Sequence, residues 1–181
     1  MNCSSLKLIN IGTLVSYDSE KSSMASSKNL EIVIEDGKIK EIGKNLNSAD
    51  DVYDCKNKLI TPGFVDCHTH PVFFEDRHRE FKMRVDGLSY DEIAENGGGI
   101  NSSVSSLRSS SEMNLKNRMQ TRMDNFLNLG TTTIEAKSGY GLNLDSELKS
   151  LKVLNDLQST HLIDIVPTFM GAHAIPIEYK K

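Results

Sequence analysis

Between Leu6 and Tyr53 apolar and polar positions alternate with the period of two that a half-buried strand requires. The run LKLINIGTLVSY is followed by LEIVIEDGKIKEIG, where Leu30, Ile32 and Ile34 alternate with Glu31 and Glu35 and Asp36-Gly37 offers the dipeptide of a primed hairpin turn. A small β module over residues 1–60 is predicted. Between the two runs, SYDSEKSSMASSKN has no apolar face and many side chains that compete for backbone hydrogen bonds, which predicts a surface loop.

The rhythm changes after Pro62-Gly63. FVDCHTH predicts a short strand, and Leu115, Met119, Met123, Phe126 and Leu127 then recur at helical spacing up to Gly130, a natural helix stop. TTTIEAK predicts the next strand. DSELKSLKVLNDLQ predicts a second helix with Leu148, Leu151, Leu154 and Leu157 as its apolar stripe, and HLIDIVPTFMGAH opens on a third strand. Strands alternating with helices imply parallel pairing through right-handed crossovers, so residues 61–181 read as α/β.

Composition narrows the function classes. With 38% hydrophobic and 25% charged residues among 181, the chain is ordinary globular material. A net charge of -4 leaves no basic stripe, so neither nucleic acid nor an anionic membrane surface is an expected partner, and a small molecule is. No apolar run approaches the ~20 residues of a membrane-spanning helix. Cys3, Cys55 and Cys67 form an odd, scattered set behind an N-terminus with no signal-peptide pattern, which points to a reducing cytoplasm.

The chemistry-bearing residues fall where the predicted strands end: His68 and His70 after the first, Glu135, Lys137 and Tyr140 after the second, His173 after the third. In alternating barrels function gathers at that face. Strand alternation projects His68 and His70 to one side with Asp66 behind them, so two imidazoles can share one zinc or iron ion; the same spacing also serves a hydrogen-bonded surface pair. Cys67 points the other way and is expected to be a buried small hydrophobe. His78 and His161 are expected at the surface, and Glu135 with Lys137 as a structural ion pair. NGGGI lacks the lysine and full glycine pattern of a phosphate loop and is expected to be a mobile loop at the active face.

LITPGFVDCHTH resembles the first barrel strand of the amidohydrolase superfamily, metal-dependent hydrolases that join a small β-sandwich to a distorted (β/α)8 barrel. HTHPVFFEDR, NGGGI, EAKSGYGL and TFMGAHAIPIEY resemble signature stretches of the imidazolonepropionases within it, over about Leu59 to Tyr179. The resemblance implies that His68 and His70 ligate one divalent transition metal, zinc or iron, that Arg77, Tyr140 and His173 touch substrate with His173 catalytic, and that the reaction is hydrolysis of 4-imidazolone-5-propanoate to N-formimidoyl-L-glutamate in histidine degradation. Arg77's planar fork suits a propionate carboxylate, Tyr140 can donate its hydroxyl from between two glycines, and His173 can polarise the ring carbonyl as a neutral or charged donor. Taken by themselves, Arg77 lies in the charged run EDRHRE, whose ordinary state is a solvated loop, Tyr140 is equally a loop tyrosine, and His173 equally a core histidine.

Against the family pattern, a (β/α)8 barrel needs ~250 residues, and after the β module only about three strand-helix units remain. The implied fold is therefore the N-terminal part of the barrel behind its β-sandwich module. A third metal histidine and the general-base aspartate have no counterpart, the chain is expected to be a piece of a longer product that is inactive alone, and the full-length form is expected to be a homodimer. Two other readings stay open: a hydrolase or deaminase of another cyclic amide or amidine, and a half-barrel that binds a partner chain without catalysis.

Overall fold

The computed structural model describes residues 5–179, so Cys3 lies outside the described residues. The chain divides into two compact units, Met1–Pro62 and Gly63–Lys181.

The first unit holds β1 (Ser5–Ile9), β2 (Thr13–Asp18), β3 (Ser23–Ser27), β4 (Glu31–Glu35), β5 (Lys38–Gly43), β6 (Asp51–Asp54) and β7 (Leu59–Ile60). They form a four-stranded sheet in the order β5-β4-β1-β6 and a three-stranded sheet in the order β3-β2-β7. The β4–β5 hairpin turns at Asp36 and Gly37 with φ of 52° and 73°, both left-handed, which is the primed turn that the Asp-Gly pair predicts. Ile11, Leu14, Ile32 and Cys55 are buried together as this unit's core.

The serine-rich stretch is not simply a loop. Ser23–Ser27 is β3, paired antiparallel with β2 from Leu14↔Ser27 to Asp18↔Ser23. A ladder needs only backbone donors and acceptors, and on this sheet edge four of the five residues are exposed, so no burial pattern marks the strand in the sequence.

In the second unit β8 (Phe64–Thr69), β9 (Thr131–Lys137) and β10 (Asp164–Thr168) lie parallel in the order β10-β9-β8. Helix α4 (Glu112–Asn128) leads into β9, and α5 (Leu144–Gln158) joins β9 to β10. Ser111 caps α4 by accepting from the Asn114 amide at 3.2 Å, and Leu115, Met119 and Met123, one helical turn apart, are fully buried. Each stabilises the unit by on the order of 2 kcal/mol through apolar burial.

The buried face of α5 keeps Leu154 and Leu157 of the predicted leucine stripe but not Leu148. Ser146, Glu147, Ser150, Val153, Leu154 and Leu157 face inward, while Leu148 is 52% exposed. Ser150 folds its hydroxyl onto the Ser146 carbonyl at 2.9 Å, so small polar residues occupy the inner face where the pattern predicts a leucine.

Three further helices fill the span after β8: α1 (His78–Val85), α2 (Tyr90–Glu95) and α3 (Ile100–Ser109). Ser89 and Glu92 form a capping box at α2. The segments are short and polar, too brief for a hydrophobic period to emerge. Among the described residues no helix is long and apolar enough to cross a membrane.

Candidate active site at the ends of the parallel strands

β8 carries Asp66 and His68 and hands the chain directly to His70. The β8–β9 register shifts between Asp66 and Thr69, where buried Thr69 donates its hydroxyl to the Glu135 carbonyl at 2.6 Å and fixes the strand end. Beyond it, Arg122 of α4 donates to the carbonyls of Pro71 and Phe73 and lies 3.5 Å over the Phe73 ring, which anchors the segment that follows His70.

The ring centroids of His68 and His70 are 5.3 Å apart. At metal–nitrogen lengths of about 2.0–2.1 Å, two imidazoles with centroids roughly 6 Å apart or less can meet on one ion. His70 Nδ1 is buried and makes no hydrogen bond to any described residue. Burial, reinforced by the nearby His173, His68 and Lys137, lowers the His70 pKa and favours the neutral ring with its free lone pair. A neutral imidazole with an orphaned nitrogen beside a second imidazole fits a borderline divalent metal. The pair is only part of a coordination sphere: among the described residues no three His, Cys, Asp or Glu side chains converge as a metal cluster.

His173 and Tyr140 join the same ring cluster from the loops after β10 and β9. His173 stacks on His70 at 4.9 Å, Tyr140 lies 5.3 Å from His173, and Tyr140 is 6.1 Å from His70. His173 Nδ1 meets the Gly139 carbonyl at 2.9 Å; a carbonyl only accepts, so Nδ1 carries the hydrogen and Nε2 is left for other work.

Arg77 stands apart from these rings. Its Nε and Nη2 both donate to Glu80 Oε2, at 2.8 and 2.6 Å, while Glu80 Oε1 accepts from the Gly99 amide at 2.9 Å. Glu80 raises the Arg77 pKa, with Tyr140 and Tyr90 adding to it, which places the guanidinium within electrostatic reach of Tyr140. Arg77 lines a polar cavity of about 480 Å³ with Asn96, Ser102 and Arg118, whereas His70 lines a mainly apolar one of about 390 Å³ with Phe73 and Phe126. The structure brings His68, His70, Tyr140 and His173 together, while Arg77 lines a different cavity from the one that His70 lines.

Two sequence expectations need correction. Cys67 is exposed, not a buried hydrophobe, because β8 is a terminal strand of its sheet and Phe64 and Val65 beside Cys67 are uncovered too. His161 is largely buried, its Nε2 3.1 Å from Asp124 and its Nδ1 accepting from the Ile163 amide; His78 is exposed as expected. In the glycine loop the buried Glu80 carboxylate accepts from the Gly99 amide at the start of α3. Glu135 and Lys137 do form the expected ion pair.

Two acids at the site escape a sequence reading. Glu80 orients Arg77, and Glu147, 1% exposed, accepts three backbone amides of the loop that carries Tyr140. Both lie in the first turn of a helix close to a glycine-bearing loop, the one local signal that could have singled them out.

No family model matches the chain. Over 160 residues it is 47% identical to the imidazolonepropionase of Clostridium tetani, a match covering 84% of this chain and 38% of that protein. Over 186 residues it is 42% identical to the imidazolonepropionase of Bacillus cereus, covering 96% and 44%. The chain thus spans about two fifths of the length of these curated relatives. Among solved structures, A. niger ochratoxinase superposes with a TM-score of 0.57 at 17% identity over 92% of this chain and 31% of its own. Guanine deaminase from C. acetobutylicum, solved with guanine bound in its active site, gives 0.52 at 21% identity over 92% and 36%. At such identities these two establish a shared fold.

Proposed function

We propose, from the premise that this chain is homologous to the imidazolonepropionases along most of its own length, that it supplies one part of a hydrolase opening 4-imidazolone-5-propanoate to N-formimidoyl-L-glutamate. On this reading Gly63–Lys181 is the N-terminal part of a (β/α)8 barrel, the first unit belongs to its β-sandwich module, and the enzyme acts in the cytoplasm. The observation that carries the reading is the convergence of His68, His70, Tyr140 and His173 on one cluster, with His70 Nδ1 buried and unpaired.

A divalent ion, zinc or iron, held by His68 and His70 would supply Lewis acidity toward the ring carbonyl. The remaining work falls to this chain's side chains. His173 spends Nδ1–H on Gly139, so Nε2 offers a lone pair when the ring is neutral and a hydrogen only when it is charged. On this reading His173 turns Nε2 toward the substrate carbonyl, where only a ring that carries both hydrogens can donate. Tyr140, beside both histidines, orients the ring. Arg77 gives two N–H groups to Glu80 and keeps its outer hydrogens for the propionate carboxylate. In the reaction water adds to the ring carbonyl carbon, the adjacent C–N bond breaks, and the released nitrogen takes a proton.

The test is ring opening measured with this chain alone and mixed with a polypeptide carrying the unmatched length of the Clostridium tetani relative, with zinc or iron supplied. Turnover is expected only in the mixture, and is expected to vanish with His70→Ala. A mixture that assembles, binds metal and leaves the substrate intact defeats the proposal; one that instead converts a cyclic amidine lacking a carboxylate points to a deaminase-like relative.

A further inference from the structure

Glu147 is buried, lies in the first turn of α5, and pairs with no cation among the described residues. Its charge is met by amides instead: Oε2 accepts from Gly139 at 3.0 Å, and Oε1 accepts from Gly141 at 2.7 Å and Leu142 at 2.8 Å. Three convergent N–H groups at a helix N-terminus stabilise a carboxylate and, in return, fix the loop that supplies them.

That loop cannot hold its shape by local preference. Gly139 sits at φ 114°, and a Cβ there would lie 2.9 Å from His173 Nδ1, so only glycine lets the imidazole reach the Gly139 carbonyl. A Cβ on Gly141 would lie 2.7 Å from the Glu147 amide. Leu142 is held at φ 53°, a left-handed conformation that a side chain of its kind rarely adopts unaided. Glu147 grips the amide of Gly139, whose carbonyl holds His173, and the amides of the two residues after Tyr140. Both ring-bearing loops are thus referred to one carboxylate.

The geometry points to Glu147 as a positioning residue that sets the tautomer and seat of His173 and the placement of Tyr140, by way of the Gly139–Leu142 backbone. This rests on the reading of His173 and Tyr140 as substrate-facing groups. Because that reading is tested by turnover and this one by ring resonances of the chain without substrate, either can fail while the other stands.

The experiment is ¹⁵N and ¹³C spectroscopy of the histidine rings in the 181-residue chain, at a pH well above the imidazole range, with the His173 signals assigned by His173→Gln. In the unsubstituted chain His173 is expected mainly as the Nδ1–H form, against the preference of a free imidazole for Nε2–H. Glu147→Gln removes the charge and presents one amide group to donors; the Nδ1–H form is expected to fall from the major to the minor species. Val153→Ala, which loosens α5 against the core without touching the cradle, is expected to leave the tautomer unchanged. A folded Glu147→Gln chain that keeps the original Nδ1–H population overturns the proposal, as does an equal loss in Val153→Ala, which would mark a general loosening. Should Glu147→Gln fail to fold, Glu147→Asp decides by the same criterion: it keeps the charge and draws the carboxylate back by one methylene, so a smaller shift in the same direction is expected and an unchanged tautomer sinks the idea.

Discussion

Glu80 shows how much one side chain holds in this structure. It is buried, takes both nearer nitrogens of Arg77 on one oxygen, and holds Gly99 with the other. Burial pushes its pKa up, but Arg77 and the Gly99 amide outweigh that and leave it below the ordinary 4.5. A carboxyl whose folded pKa is depressed lends stability that is complete above its unfolded value and lost as pH falls through the folded one. Glu80→Gln is therefore expected to lower stability by about 2 kcal/mol near neutrality, where it strands part of a buried network. The gap between the two chains should close in acid below the ordinary 4.5. Urea unfolding of both at about pH 7 and about pH 3.5 checks this; a gap that does not shrink would mean that the Glu80 charge is not what stabilises the loop. Arg77→Lys tests the other partner. Lysine keeps the charge but not the fork, so in an active assembly kcat/KM is expected to fall roughly tenfold or more, and unchanged kinetics would remove Arg77 from the substrate's path. His68 and His70 were picked out by their spacing at a predicted strand end, and the structure sets their rings 5.3 Å apart. Glu80 and Glu147 were not, because what they bind is backbone amides, which leave no mark on a side-chain pattern.

At the scale of elements, legibility followed length and apolar contrast. The α4 helix stood out in the sequence because Leu115, Met119 and Met123 recur one helical turn apart, and the structure buries all three. β9 was equally plain, its Ile134 and Ala136 fully buried between polar neighbours. β3 went unread because both its faces are largely exposed, and α1 to α3 because each is short and polar. α5 was found and part of its stripe holds, since Leu154 and Leu157 are buried, but the structure also turns Glu147 and Ser150 inward and leaves Leu148 half in solvent. This difference has a direct test. Leu148→Glu is expected to change stability by less than about 0.5 kcal/mol, while Leu154→Ala, at a position with no exposed surface, is expected to cost about 3 kcal/mol through the cavity it leaves. Equal losses from thermal or urea unfolding would restore the leucine stripe and contradict the face that presents Glu147 to the loop.

For the molecule as a whole, the decisive feature is what the second unit leaves uncovered. β9 is paired on both sides, but β8 and β10 are the terminal strands of their sheet and each has one edge without a strand partner among the described residues. Phe64 and Val65 on β8 and Val166 on β10 are all more than half exposed, as is Phe169 just past β10. Unpaired edges that carry exposed apolar side chains are templates for further strands. The curated relatives carry more than twice this chain's length, enough to supply strands for both edges. The isolated chain is therefore expected to associate with itself in a concentration-dependent way and to become a defined species when the remaining length of a relative is added. Size-exclusion chromatography with light scattering, across a hundredfold range of concentration, reads both. Charge placed on the edge strands should discriminate further: Val65→Lys and Val166→Lys, at exposed positions, are expected to suppress self-association without lowering stability, because they interrupt an edge and not a core. A monodisperse monomer at high concentration, unaffected by these two substitutions, would mean that the sheet edges are closed in solution by something within the chain itself.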